Sequence, residues 1–380
     1  MTGASPFAAA LLFGAVLSAC GGGGASPQTT VTSTLPPLPP SIYAYVTLAG
    51  TGANLGFGDR LVQVNVTPGS EGVATRIPVG TYPDAVAVDG SMAYVANYTS
   101  GTVTPVDLRT GTAGKPIPVG AGPAAIAIST QLDRAYVTDD GTSSSLGDSV
   151  TPIDLKTLKA LAPIAVGAGP QGIAITPDGL KAYVADAGAI VAGQSGPVGH
   201  TVTPIDLKTG RAERPITVGN GPTGVAITPD GGTVFVTNLD SLSVTPINVS
   251  TDQALAAIAV PGGPVAVVVA DGDAWVVDTP SSQSPGNNVV PISVSSDKAG
   301  KPITVAKGVQ AIALTPDGKT AWVTCLNAGE IESIDLASHS VGSAVKVPGG
   351  PFAIAVTSQA SSGAGGSSRG SSKKKTTTTS

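Results

Sequence analysis

Few of the residues on which catalytic or redox chemistry is built occur in this chain. Of 380 residues, two are Cys, two are His, 4% are aromatic and 12% are charged. Cys20 and Cys325 have no metal-binding spacing, and no CxxCH haem attachment exists. No basic patch offers a footprint for nucleic acid, so that class of partner is excluded. The longest apolar run, Phe7 to Ala19, is too short to span a bilayer comfortably. No segment has the 3.6-residue period of an amphipathic helix. What is present is 50 Gly, 32 Pro and 41% hydrophobic residues, ample material for a core. No cofactor or metal is expected.

The ends differ from the middle. Residues 1–20 are expected to form a secretory signal. It ends in Leu17-Ser18-Ala19-Cys20, which resembles the lipobox of bacterial lipoproteins, although no Lys or Arg precedes the apolar run. The resemblance implies lipidation of the Cys20 thiol and cleavage before it, hence a lipid-anchored protein facing the extracytoplasmic side of a bacterial envelope. Residues 21–40 are an uncharged Gly/Pro/Thr-rich linker, and residues 359–380 a low-complexity tail expected to be disordered. Arg369, Lys373, Lys374 and Lys375 put +4 on that tail, so against a total of −5 the rest of the chain stands near −9.

Between them, residues 41–358 repeat one unit seven times. Four short segments recur in order. Strand A is typified by "GPQGIAIT", strand B by "AYV", strand C by "TVTPIDL" and strand D by "KPITVG". Each is rich in Val, Ile and Thr and bounded by Gly, Pro or Asp, which are strand signals. "TPDG" turns follow strand A, and "DLKTG" reversals follow strand C. Four antiparallel strands per unit make a propeller blade, so the fold class is an all-β, seven-bladed β-propeller. The chain enters on a B strand (Tyr45) and leaves on an A strand (Pro351 to Val356), so the last strand should pair into the first blade and close the ring.

"AYVANYTSGTVTPVDLRTG" and "GIAITPDGLKAYVAD" resemble the YVTN-repeat β-propellers of bacterial and archaeal extracytoplasmic proteins. The resemblance covers the whole repeat region. It implies a seven-bladed ring on an exported protein and brings no catalytic residue with it.

The repeats differ mainly in one loop. From the B-strand aromatic to the end of strand C is 13 residues from Tyr94, Phe235 and Trp322, but 20 from Tyr45, 18 from Tyr136 and Trp275, and 23 from Tyr183. Strand alternation puts all B–C loops on one face with the D–A loops, and the A–B and C–D turns on the other. Insertions on one face of a rigid scaffold point to a binding face, with tolerated slack as the alternative. Three residues after the B-strand aromatic stand Asn97, Asp139, Asp186, Asn238 and Asp278, with Leu48 and Cys325 in the other two blades. These side chains fit loop caps that bond nearby backbone N–H groups; a partial acidic crown at the channel mouth is the functional alternative. With Asp140, Asp148 and His200 they make up the candidate binding face. "DDGTSSSLGD" (Asp139, Asp140, Asp148) offers oxygen ligands but lacks a calcium-loop spacing. His200 lies in the long blade 4 loop and His339 in a C–D turn on the opposite face, so no His pair or Ser-His triad can form. The expected function is a binding or interaction module for an envelope protein, peptide or glycan, with no catalytic residue assigned. The alternative is a hydrolase or lyase working through carboxylates at the channel mouth, as in seven-bladed lactonases or streptogramin lyases.

Overall fold

The computed structural model describes residues 40–50, 58–189, 196–279 and 287–359, and among these there is no helix. They form seven antiparallel sheets, each running A-B-C-D. In blade 4, strand A is Pro170–Ile175, B is Lys181–Gly188 and C is Val198–Asp206. Blade 1 takes its A strand from the end of the chain: Pro351–Gln359 pairs with Ser41–Leu48, Ser41 opposite Gln359 and Val46 opposite Ile354. The Tyr45 phenol accepts hydrogen bonds from Gln359 Nε2 at 2.6 Å and Gln63 Nε2 at 3.0 Å, tying all three inner strands of that blade together.

The B-strand aromatics explain why the sheets stand in a ring. All seven are buried, from 0% exposed (Tyr45, Tyr183, Phe235, Trp275) to 4% (Tyr94). Each packs on the blade that follows. Tyr45 joins the blade 2 residues Ala93 and Val95, Tyr136 joins Ala182 and Val184 of blade 4, and Trp275 joins Val323 of blade 7. Trp322 of blade 7 packs on Ala44 and Val46 of blade 1, so the ring closes by the same contact that builds it. Removing such a ring to Ala costs about 3–5 kcal/mol.

Strand D is not one segment in most blades. In blades 2 to 6 it is two two-residue pieces, such as Thr112–Ala113 and Ile117–Pro118. The cause lies in strand C. Pro105, Pro152, Pro204, Pro246 and Pro291 direct their backbone toward strand D, where each carbonyl accepts one bond (Gly114 N–H to Pro105 O, 2.7 Å) but no N–H exists to return it. Where that Pro is Gln63 or Ser333, strand D runs unbroken as Gly72–Pro78 and Ser340–Lys346.

Candidate functional site

Two concentric rings of residues encircle the face that carries the B–C and D–A loops. The outer ring holds the residues three after each B-strand aromatic. They are buried: Asn97, Asn238, Asp278 and Cys325 at 0%, Asp139 and Asp186 at 2%, Leu48 at 5%. Each polar member reaches toward the D–A loop beside it. Gly80 N–H donates to Asn97 Oδ1 at 3.0 Å, and Gly167 N–H to Asp186 Oδ1 at 3.0 Å. Strand C supplies the rest. Asn97 Nδ2 donates to Thr104 Oγ1 at 2.9 Å, Thr151 Oγ1 to Asp139 at 2.7 Å, Thr203 Oγ1 to Asp186 at 2.7 Å, and Asn238 Nδ2 to Thr245 Oγ1 at 2.9 Å. A Cβ on the facing glycine would stand 2.3 Å from Asp139 Cγ (Gly120) or Asp186 Cγ (Gly167). Glycine therefore fits there in blades 2 to 5; the position is Ala306 and Pro348 in the two blades whose outer-ring residue is not Asx, and Pro261 opposite Asp278. These side chains are loop caps; the acidic crown does not form.

Asp278 is the exception. Its facing glycine is Pro261, which has no N–H, and the strand C hydroxyl positions hold Asn288 and Val290. Neither Asp278 carboxylate oxygen has a side-chain partner among the described residues, and burial pushes its pKa up to about 6, opposed only by the nearby Gly262 N–H. Asp186, equally enclosed but held by two hydroxyls and a backbone N–H, is also raised by burial to about 6.

The inner ring holds the residue after the strand A proline or its equivalent: Asp84, Ala124, Gln171, Thr223, Val265, Gln310 and Phe352. The next residue is Ala or Gly in every blade. At Gly172 a Cβ would meet Thr223 O at 2.1 Å, so small residues let neighbouring A strands converge. Above that constriction all seven blades line one cavity of about 380 Å³. Larger hollows of about 730 Å³ and 690 Å³ lie on the opposite face and on the outer rim, each lined by only two or three blades.

Asp84 is the one charged residue among the described residues lining that cavity. Its side chain is half-buried at the cavity wall, with protein around it. Desolvation first, and then the nearby Asp140 carboxylate, push its pKa up to about 8, so it holds a proton at neutral pH. Asp140 is buried on the blade 3 B–C hairpin at a bulge between Asp139 and Gly141, and it accepts a hydrogen bond from the Tyr98 phenol at 3.1 Å. Tyr82 stacks edge-on to Tyr98 at 5.7 Å between centroids and at a tilt to Phe352 at 5.9 Å. Burial and then the Asp84 carboxylate raise the Tyr82 phenol to about 12. Tyr82 has φ +52°, in the left-handed region where blades 3, 4 and 5 use Gly122, Gly169 and Gly221. An aromatic held where the fold prefers glycine is local strain of the kind found at functional sites.

The blade 3 insertion is an extended hairpin, Arg134–Thr142 against Ser145–Asp154, rather than slack. It carries Asp140, fully buried, within electrostatic reach of Asp84. Asp139 turns into its cap, Asp148 is exposed, and the three carboxylates do not converge; no group of three or more metal-binding side chains occurs among the described residues. The blade 4 hairpin extends to Gly188 opposite Val198, with His200 exposed on its outer flank. His339 lies on the other face, with its ring edge-on to Trp275 at 5.0 Å. The tips of the blade 1, 4 and 6 insertions, together with Cys20, the linker and the tail, lie outside the described residues. Cys325 is buried and unpaired among the described residues, its thiol pushed up to about 12 by burial.

The reading from sequence passed over Asp84, Tyr82, Tyr98 and Phe352. The available signal was their singularity: "TYPDAVAVD" is the one strand A segment with an acid after the proline and a non-glycine before it.

No protein-family model matches this chain. No curated protein matches it either. Solved structures do. Kuenenia stuttgartiensis hydrazine synthase aligns at 22% identity over 72% of this chain and 89% of that one, with a TM-score of 0.63. A functionally unknown protein from Desulfotomaculum acetoxidans aligns at 16% identity over 83% and 98%, TM-score 0.66. A Bacteroides fragilis protein provisionally named a 6-phosphogluconolactonase aligns at 14% over 87% and 99%, TM-score 0.65. At these identities the likeness shows the shared seven-bladed fold and nothing of chemistry.

Proposed function

We propose that this chain is a ligand-binding β-propeller of the YVTN-repeat kind, lipid-anchored through Cys20 on the extracytoplasmic side of a bacterial envelope, with its site at the channel mouth on the B–C face. The observation that carries this reading is the cavity itself. It is the place where all seven blades meet, and the non-repeating residues Asp84 and Phe352 line it. The described parts of the inserted B–C loops lie on that face, and the blade 3 hairpin brings the buried Asp140 within electrostatic reach of Asp84. Ser41 and Gln359 pair at the opposite face, beside the C–D turn that follows Asn65, so an anchor and tail leaving there would turn the mouth away from the membrane. The ligand would come from the envelope as a small molecule, a peptide end or a glycan.

The test is a thermal-shift screen of fractionated envelope extract against wild type and Gln310→Trp, which fills the cavity from a position with no hydrogen bond of its own among the described residues. Stabilisation of wild type alone supports the reading; equal stabilisation of both, or of neither, removes it. For the anchor, Cys20→Ala should release the protein from membranes, and continued detergent-dependent association would contradict lipidation.

A hydrolase or lyase is the second reading. One observation favours it: Asp84 keeps its proton beside Asp140, the division of labour that acid–base catalysis uses. Turnover of lactones by wild type, lost in Asp84→Asn, would establish it over simple binding.

A further inference from the structure

We infer that the channel mouth takes a compact organic cation, a protonated or quaternary alkylammonium group, held by Asp84 and the rings of Tyr82, Tyr98 and Phe352. The inference rests on the binding reading above and names its ligand class.

The distribution of aromatics is the first support. The chain has seven Tyr, five Phe and two Trp, and seven of these fourteen are the buried B-strand residues that join blades. Of the four other aromatics among the described residues, Tyr43, Tyr82, Tyr98 and Phe352, the last lines the cavity, and Tyr82 packs against both Phe352 and Tyr98 beside it, all three half-buried. Their geometry is the second. Tyr82 is inclined 72° to Tyr98 and 51° to Phe352, so the three contacting rings are not coplanar and offer no flat platform. A sugar ring stacks on a flat face; a rounded ammonium group is held by several ring faces turned toward it. Charge is the third. The lining contains Asp84 and no Lys, Arg or His among the described residues, and Asp140 lies within electrostatic reach of Asp84. The cavity, about 380 Å³, suits a small ligand. Tyr82 also occupies a left-handed backbone position that disfavours a bulky residue relative to glycine, and it belongs to none of the blade-joining core clusters beside it.

Cation binding should be linked to proton release. The titratable groups facing Asp84 are Asp140 from the blade 3 hairpin, Tyr98 from the blade 2 B–C loop and Tyr82 from its own connection. The phenols are raised and stay neutral, so Asp84 is the group that yields. Affinity should climb as pH rises toward about 8 and level off above it.

The experiment is calorimetric titration of the full chain at pH 7 with choline and tetramethylammonium, in two buffers of different ionisation enthalpy. The controls are 3,3-dimethylbutan-1-ol (neutral, same shape as choline), calcium and glucose. Saturable binding of both cations is expected, with the neutral alcohol at least about tenfold weaker, a fraction of a proton to one proton released per cation, and Asp84→Asn weakened at least about tenfold while melting no lower than wild type. No saturation by either cation, an equal response to the alcohol, or binding of calcium or glucose instead would overturn the inference. If the cations fail while envelope extract still stabilises wild type and not Gln310→Trp, the ligand class is wrong and the site stands. If both fail, the binding reading falls with it.

Discussion

The outer and inner rings of the mouth face lie one strand apart and have opposite careers. The outer ring is polar in five of seven blades, and all of it is buried. Its carboxylates and amides meet backbone N–H groups and threonine hydroxyls of their own blade. The inner ring varies from Ala to Phe, holds a single acid and faces the cavity. In a repeat protein, a polar residue that recurs at the same place in each unit is serving what each unit needs, which is closure of its own loops. A polar residue that occurs once serves something that occurs once, and the channel mouth is the one feature the blades share without repeating.

The largest expected effect sets the rings against each other through pH. The fold raises Asp84 above its unfolded value, so its ionisation opposes folding, and wild-type stability should decline as pH rises from about 4 through about 8. Asp84→Asn mimics the protonated form. It should match wild type below pH 4 and become progressively more stable above it, as measured by urea midpoints across the range; a variant less stable at pH 8 would mean that Asp84 is structural. Next comes Asp278, the outer-ring member whose strand C hydroxyl partners are missing. Its pKa of about 6 makes it cost nothing below pH 4 and about 3 kcal/mol once pH passes 6. Restoring the repeat with Pro261→Gly and Val290→Thr should recover part of that loss at pH 7, read as a higher urea midpoint. Asn97→Ala, which strips the Gly80 N–H and two hydroxyls of a neutral partner, should lower stability by about 2 kcal/mol at any pH. Smallest is Tyr98→Phe, which keeps the ring and loses the bond to Asp140, about 1 kcal/mol by thermal denaturation.

The architecture was legible because repetition is a strong signal: strand order, blade number, closure by the terminal strand and the single face of the insertions all follow from aligned segments. The capping role of Asn97 and Asp186 was legible too, because Asx beside Gly is local chemistry. The broken D strand was not read, although Pro in strand C announces it, because its effect falls on the neighbouring strand. Asp84 was missed for a different reason. It lies far in sequence from Tyr98, Asp140 and Phe352, and only closure of the ring brings blades 1, 2 and 3 around it.

The contrast between the rings is tested most directly by the choline-induced shift in melting temperature of wild type, Asp84→Asn and Asn238→Ala. Asn238 is a buried outer-ring residue whose Nδ2 donates to Ser243 and Thr245 of strand C. The account predicts that Asn238→Ala melts lower but keeps the wild-type shift, whereas Asp84→Asn melts no lower and loses it. A shift that survives in Asp84→Asn, or that vanishes with Asn238→Ala, would contradict it.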